Sequence, residues 1–241
     1  MIEEERKIAV LIDAENVPYA HIGKALREVA RYGVPTIKRI YGDWTKQSSS
    51  GWKKSLLEYA ITPIQQYAYT TGKNSSDSAM IIDAMDILYE GNVDSFCIVS
   101  SDSDFTRLVV RLRESGMYVI GMGERKTPNP FIVSCDKFIY MDIIATLDEQ
   151  KNSGKISLSR QDEKNLVQLI SDSIQDLADD NGYVFMGDLG NLIIKKHPDF
   201  DPRNYGFYQL TPLVKGLDHF EIDERRIPNT NVKHVYIRNK K

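Results

Sequence analysis

The densest potential chemistry in this chain lies in Ser100-Ser101-Asp102-Ser103-Asp104, where two carboxylates one residue apart follow the apolar run Phe96-Cys97-Ile98-Val99. Acids crowded at one point repel each other unless a divalent cation or a shared proton compensates them. All-oxygen ligation suits magnesium or manganese. The same residues have a competing use as a helix cap, because Ser and Asp accept hydrogen bonds from the first free amides of a helix. For this stretch taken alone, both readings stand.

Three further acids sit in similar settings. Asp13 ends the apolar run of residues 7–12, and Asn16 follows it. Asp77 falls near the start of the segment 73–88, whose apolar residues at 80, 81, 84, 85, 87 and 88 predict a mostly buried helix. In a first turn it can also serve as a partner for the helix dipole. Asp83 is flanked by Ile82, Ala84 and Met85, so its charge calls for a partner or a metal. Six residues separate it from Asp77, which puts the two on different helical stripes. Asp77 is therefore the candidate ligand, and Asp83 a supporting or backbone-clamping group.

These acids need a scaffold that brings them together. Residues 7–12, 35–41, 62–69, 96–99, 118–123 and 137–140 read as strands, with apolar residues at both parities in the first and fourth, as in strands buried on both faces. Helical spacing appears between strands, for example at Ile22, Leu26 and Val29 and at Leu108, Val109 and Leu112. This alternation implies a right-handed parallel sheet with helices on both faces. Ligands of such sheets gather beyond the carboxyl ends of the strands, where Asp13, Asp102 and Asp104 fall. Glycines at the end of strand 118–123 mark a place where backbone approaches a ligand closely. In the polar loop 42–51 and just beyond it, Trp44, Lys53 and Lys54 are candidates for stacking on bases and meeting phosphates; the alternatives are a packed indole and solvated lysines.

Taken in order, Leu11-Ile12-Asp13-Ala14-Glu15-Asn16, then Lys73 with Asp77 and Asp83, then Ser100-Ser101-Asp102-Ser103-Asp104-Phe105 resemble the motifs of the NYN domain, a PIN-like nuclease fold, over roughly residues 6–146. The resemblance implies that Asp13, Asp77, Asp102 and Asp104 form a catalytic, metal-binding cluster supported by Asn16, Asp83, Ser100 and Ser101, with Lys73 among the nucleic-acid contacts. Where the family often has Gly, this chain has Ser101, which adds a side chain beside the phosphate path. Phosphodiester hydrolysis needs a nucleophilic water and a stabilised leaving oxygen, and Mg²⁺ or Mn²⁺ held by carboxylates supplies both.

Residues 149–156 read as a polar linker. Beyond them come an amphipathic helix at 163–179, helices at 186–196 and 209–216, and two alternating segments, 220–222 and 232–237, like the strands of a wing. This order, with Gly182-Tyr183-Val184, Pro198-Asp199-Phe200-Asp201 and Tyr205-Gly206, resembles the LOTUS (OST-HTH) winged-helix module. The resemblance implies RNA or a protein as partner. Lys195, Lys196 and Arg203, with Lys215, Arg225 and Arg226, are the candidate phosphate contacts; a solvated face is the alternative. The fold expected is thus α/β: a PIN-like, parallel-sheet Rossmannoid domain over 1–148, a linker, and a small winged-helix domain over 157–241.

The 241 residues carry 31 Lys and Arg against 34 Asp and Glu, which argues against binding nucleic acid through bulk positive charge. Cys97 and Cys135, both in strand-like contexts, lack zinc or disulfide spacing, and a reducing, cytoplasmic setting is expected. No apolar run approaches the ~20 residues that span a bilayer, and the charged start is unlike a signal peptide. There is no Gly-rich GKS/T loop and no G-x-S-x-G elbow. The leading expectation is a metal-dependent (Mg or Mn) ribonuclease acting on single-stranded or structured RNA. A noncatalytic RNA-binding scaffold of the same fold is the rival, and a phosphatase or receiver-like domain is the third.

Overall fold

A computed structural model describes residues 5–67, 75–147, 160–226 and 233–240. Its contacts divide the chain into two compact units, Met1–Asp148 and Glu149–Lys241. The linker expected at 149–156 lies outside the described residues.

The first unit is built on six parallel strands: β1 (Lys7–Asp13), β2 (Val34–Gly42), β3 (Thr62–Gln65), β4 (Ser95–Val99), β5 (Tyr118–Gly123) and β6 (Lys137–Tyr140). Their order across the sheet is β3-β2-β1-β4-β5-β6. From β1 the chain runs outward through β2 and β3, then returns to β4 and runs the other way. The direction of winding thus reverses between β1 and β4, which opens a crevice at their carboxyl ends.

Apolar residues at both parities are explained by the two layers. Ala9, Leu11, Phe96 and Ile98 belong to one buried cluster, completed by Met80, Ala84 and Ile87 of α3 (Ser75–Glu90) and by Leu108 and Leu112 of α4 (Thr106–Glu114). Ile8, Val10, Ile12, Cys97 and Val99 belong to the other, completed by Ile22, Leu26 and Val29 of α1 (Ile22–Val29), Trp52 of α2 (Trp52–Tyr59) and Met141 of α6 (Met141–Leu147). A strand clamped between two such layers has little freedom to slip, because a one-residue shift would exchange its faces. Asp13 has the parity of Ala9 and Leu11, so it falls on the face covered by α3.

Two local expectations change. Cys135 follows α5 (Asn129–Ser134) as its cap, a short helix whose Pro128-Asn129-Pro130 start hides it from a periodicity reading. A Cβ on Gly123 would stand 2.7 Å from the Ser100 carbonyl oxygen and 2.6 Å from Thr127 Oγ1. What approaches the end of β5 so closely is the loop after β4, not a ligand, and only glycine leaves room for it.

The second unit contains α7 (Arg160–Leu177), β7 (Val184–Phe185), α8 (Met186–Lys196), α9 (Leu210–Lys215), β8 (Phe220–Arg226) and β9 (Lys233–Asn239). The strands form an antiparallel sheet in the order β7-β9-β8. Leu166 and Ile170, Leu189 and Ile193, Leu213 and Val214, and Ile237 meet in one core. This is the arrangement of a small winged helix.

Candidate active site

Asp13 is the last residue of β1 and is buried, 2% exposed. Its Oδ2 accepts from Asn16 Nδ2 at 2.7 Å and from Ser100 Oγ at 2.8 Å, while Oδ1 accepts from the Glu15 amide at 3.0 Å. Burial pushes this carboxyl above the ordinary range, and the hydrogen bonds pull against that shift. Ser100 follows β4 and is fully buried; besides donating to Asp13, its Oγ accepts from the Asp102 amide at 3.0 Å. One hydroxyl therefore ties the acid of β1 to the loop that carries the other pair.

In that loop, Asp102 has extended backbone and accepts the Asp104 amide at 2.9 Å, capping a short 3-10 turn, Ser103–Phe105. Capping and clustering are thus two consequences of one geometry, since fixing the Asp102 side chain also fixes where Asp104 emerges. Ser101 Oγ accepts the Glu124 amide at 2.9 Å, holding the loop to the end of β5. Ser101 as a whole is 9% exposed, and its hydroxyl is engaged within the loop packing.

From the opposite side, the first turn of α3 supplies Asp77. Carboxylate oxygens of Asp77, Asp102 and Asp104 all lie within 4.8 Å of one another, a spacing at which one hard cation can be shared. Asp77 is buried, Asp102 partly so and Asp104 exposed, so the cluster opens on the Asp104 side. Burial, then the charges of Asp13, Asp102 and Asp104, push the Asp77 carboxyl up to about 6. Asp13 stands beside this set, close enough to act on Asp77, without being one of the mutually close three. The donors are carboxylates, which suits Mg²⁺ or Mn²⁺ and not a thiolate- or imidazole-bound metal.

The family model of the NYN domain matches residues 7–143, more than half of the chain. The chain belongs to the NYN-domain family. An OST-HTH/LOTUS domain follows over residues 157–232, in the order that the motifs implied. Among solved structures, this chain is similar to a protein of unknown function from Vibrio parahaemolyticus RIMD 2210633, with 21% identity over 57% of this chain and 94% of that one and a TM-score of 0.48. It is also similar to an uncharacterized protein from Nitrosomonas europaea, with 36% identity, 31% and 71% coverage and a TM-score of 0.28. A third likeness is to part of a Chromobacterium violaceum protein, with 34% identity, 31% and 78% coverage and a TM-score of 0.26. No curated protein matches the chain. Among the described residues no helix is long and apolar enough to cross a membrane.

Within the NYN domain, Asp83 meets its charge partner away from the cluster: Arg39 and the buried Tyr41 hydroxyl both donate to its carboxylate. This ties α3 to β2. Trp44 packs against the α1 side of the core and donates from Nε1 to the Ile64 carbonyl at 3.0 Å. Lys53 and Lys54 are exposed in the first turn of α2, and Lys73 lies outside the described residues. Glu15, which the sequence reading passed over, contributes to raising Asp77 and receives Lys46 Nζ at 3.0 Å. Its only sequence signal is its place two residues beyond Asp13.

In the OST-HTH/LOTUS domain, Lys195 is exposed and Lys196 is bound by Asp176. Arg203, with its side chain 11% exposed, is forked onto Asp201, with Nη2 to Oδ2 at 2.7 Å. Arg203 is thereby part of the fold of its own loop.

Proposed function

We propose that this protein is a metal-dependent ribonuclease in which the NYN domain hydrolyses RNA phosphodiester bonds and the OST-HTH/LOTUS domain recruits the RNA. The observation that carries this reading is the convergence of Asp77, Asp102 and Asp104 within 4.8 Å from two distant segments of the chain. Asp77, Asp102 and Asp104 would hold Mg²⁺ or Mn²⁺, with Asp13 alongside. Such a cation supplies an activated water and neutralises charge on the leaving oxygen.

The chain's own residues provide position and access. Asp13, fixed by Asn16, Ser100 and the Glu15 amide, holds its carboxyl in one orientation at the floor of the crevice. Ser100 and the Asp102–Asp104 turn preset the separation of the carboxylates, so little reorganisation is needed when cation and substrate arrive. Asp104 lies on the exposed side, which leaves the phosphate path open there. A cytoplasmic setting, with RNA and not a membrane as partner, belongs to the same proposal.

The test is incubation of end-labelled RNA with the full chain in Mg²⁺ or Mn²⁺, beside Asp102→Asn and Asp104→Asn. Cleavage by the parent that is lost in both variants supports the reading. RNA binding without cleavage in all three contradicts it and supports a noncatalytic scaffold.

A further inference from the structure

The candidate phosphate-binding cations of the second domain are largely engaged internally. Lys196 is held by Asp176 and Arg203 by Asp201, while Lys215 and Lys233 both donate to Glu224. In α9, the third helix of the winged helix, Lys215 is the one cation in Leu-Thr-Pro-Leu-Val-Lys. A helix so poor in free charge is ill suited to a nucleic-acid groove, and the narrow major groove of duplex RNA excludes side chains in any case.

The sheet has a different character on its outer face. Ile222, Val235 and Ile237 point to the core beneath α7, α8 and α9, so period-two alternation sends their neighbours outward. There Phe185 lies opposite Tyr236 and Arg225 opposite His234 in the register of the sheet. Phe185 has its ring centroid 5.1 Å from that of His234 and 5.8 Å from that of Tyr236. Arg225 stacks its guanidinium 4.1 Å from the Tyr236 centroid and 5.2 Å from that of Tyr183, and Arg238 covers Tyr183 at 4.7 Å. The result is a layered π surface, with the Arg225 side chain 46% exposed on top.

From this arrangement we infer that the outer face of the β7-β9-β8 sheet binds unpaired RNA by stacking bases on the Arg225–Tyr236–Tyr183 layer. This rests on the proposed RNA substrate and specifies its form, single-stranded, and where it is captured. Bases stack on guanidinium planes and aromatic rings alike. The face suits stacking more than phosphate attraction, because Arg225 is balanced by Asp223 at 2.8 Å and Arg238 by Glu221 at 2.6 Å. Capture here therefore depends little on salt, unlike capture by a basic patch.

Fluorescence anisotropy of the full chain with a labelled unpaired oligoribonucleotide and with the matching duplex, in EDTA so that nothing is cut, tests the inference. The unpaired strand binds and the duplex binds much more weakly. Affinity changes no more than about threefold over a fourfold change in salt, the loss expected from a single phosphate contact. Arg225→Lys and Tyr236→Leu each weaken binding about tenfold or more, while Tyr236→Phe retains it, with circular dichroism melts checking the fold. Full affinity in Arg225→Lys, unchanged affinity in Tyr236→Leu, or equal binding of the duplex overturns it. Absence of RNA binding in EDTA overturns it as well and leaves the face to a protein partner. Cleavage in Mn²⁺, measured separately, decides the nuclease reading whichever way the anisotropy falls.

Discussion

Ser100 Oγ donates to Asp13 Oδ2 at 2.8 Å, joining the carboxyl ends of β1 and β4 across the point where the sheet reverses its winding. The same oxygen accepts the Asp102 amide, so a single hydroxyl sets the spacing between the buried Asp13 and the loop that carries Asp102 and Asp104. Ser100→Ala leaves Asp13 Oδ2 with Asn16 and the Asp102 amide without this acceptor. Stability falls by about 1–3 kcal/mol, as expected when a buried hydrogen-bonding group loses its partner. Cleavage falls further, by roughly 10- to 100-fold, the usual cost of removing a group that orients metal ligands. Urea denaturation and single-turnover kinetics separate the two effects, and unchanged kinetics would count against this role for Ser100.

Asp77 makes the cation visible in stability. Its carboxyl is pushed up from 3.8 to about 6, so between those values the folded chain holds a proton that the unfolded chain has released. Without metal, the stability associated with this group is present below the lower value and is lost as pH rises through the upper one. Asp77→Asn does not ionise, so the metal-free variant exceeds the parent above pH 6 by on the order of 1 kcal/mol, and the gap closes near pH 4. Saturating Mn²⁺ reverses the order, because only the parent has the full ligand set. Denaturation curves at both ends of this range, with and without Mn²⁺, check the sign.

Proton and cation also compete for Asp77, so Mn²⁺ affinity weakens as pH falls through about 6. Calorimetric titrations across that range show the loss. Affinity independent of pH there would remove Asp77 from the ligand set.

Asp83 serves the packing of α3 on β2 and not the acidic cluster. Its carboxylate receives Arg39 and Tyr41, so Asp83→Ala strips both donors of their acceptor and lowers stability by about 1–3 kcal/mol. Divalent-cation affinity of the folded variant is little changed, because Asp77, Asp102 and Asp104 are untouched. A thermal melt paired with a Mn²⁺ titration measures both quantities.

The first sheet was legible because its central strands β1 and β4 are packed on both sides: in β1, Ile8, Val10 and Ile12 fill one layer while Ala9 and Leu11 fill the other, which leaves no polar parity. The acids were legible because Asp13 and the Asp102–Asp104 pair stop such runs, and strand ends are where a parallel sheet presents side chains. Long-range pairing was not. Arg39 and Asp83 are 44 positions apart, and Lys46 and Glu15 are 31 apart, so no local pattern announces either pair. Arg203 is hidden for a different reason: its partner is only two positions away, and an arginine beside Asp201 and Pro202 reads as a solvent cation until the loop's fold brings the fork onto its neighbour. Outward alternation of His234, Tyr236 and Arg238 can be read along β9, whereas their meeting with Phe185, Tyr183 and Arg225 depends on strand order.

The most direct measurement of the central claim is Mn²⁺ binding followed by electron paramagnetic resonance in the parent, Asp102→Asn and Asp104→Asn. The parent binds Mn²⁺ at the acidic cluster, and each variant, folded as judged by its melt, binds it at least about tenfold more weakly. Equal binding in all three would show that Asp77, Asp102 and Asp104 do not share a cation, and the assignment of the site would fall with it.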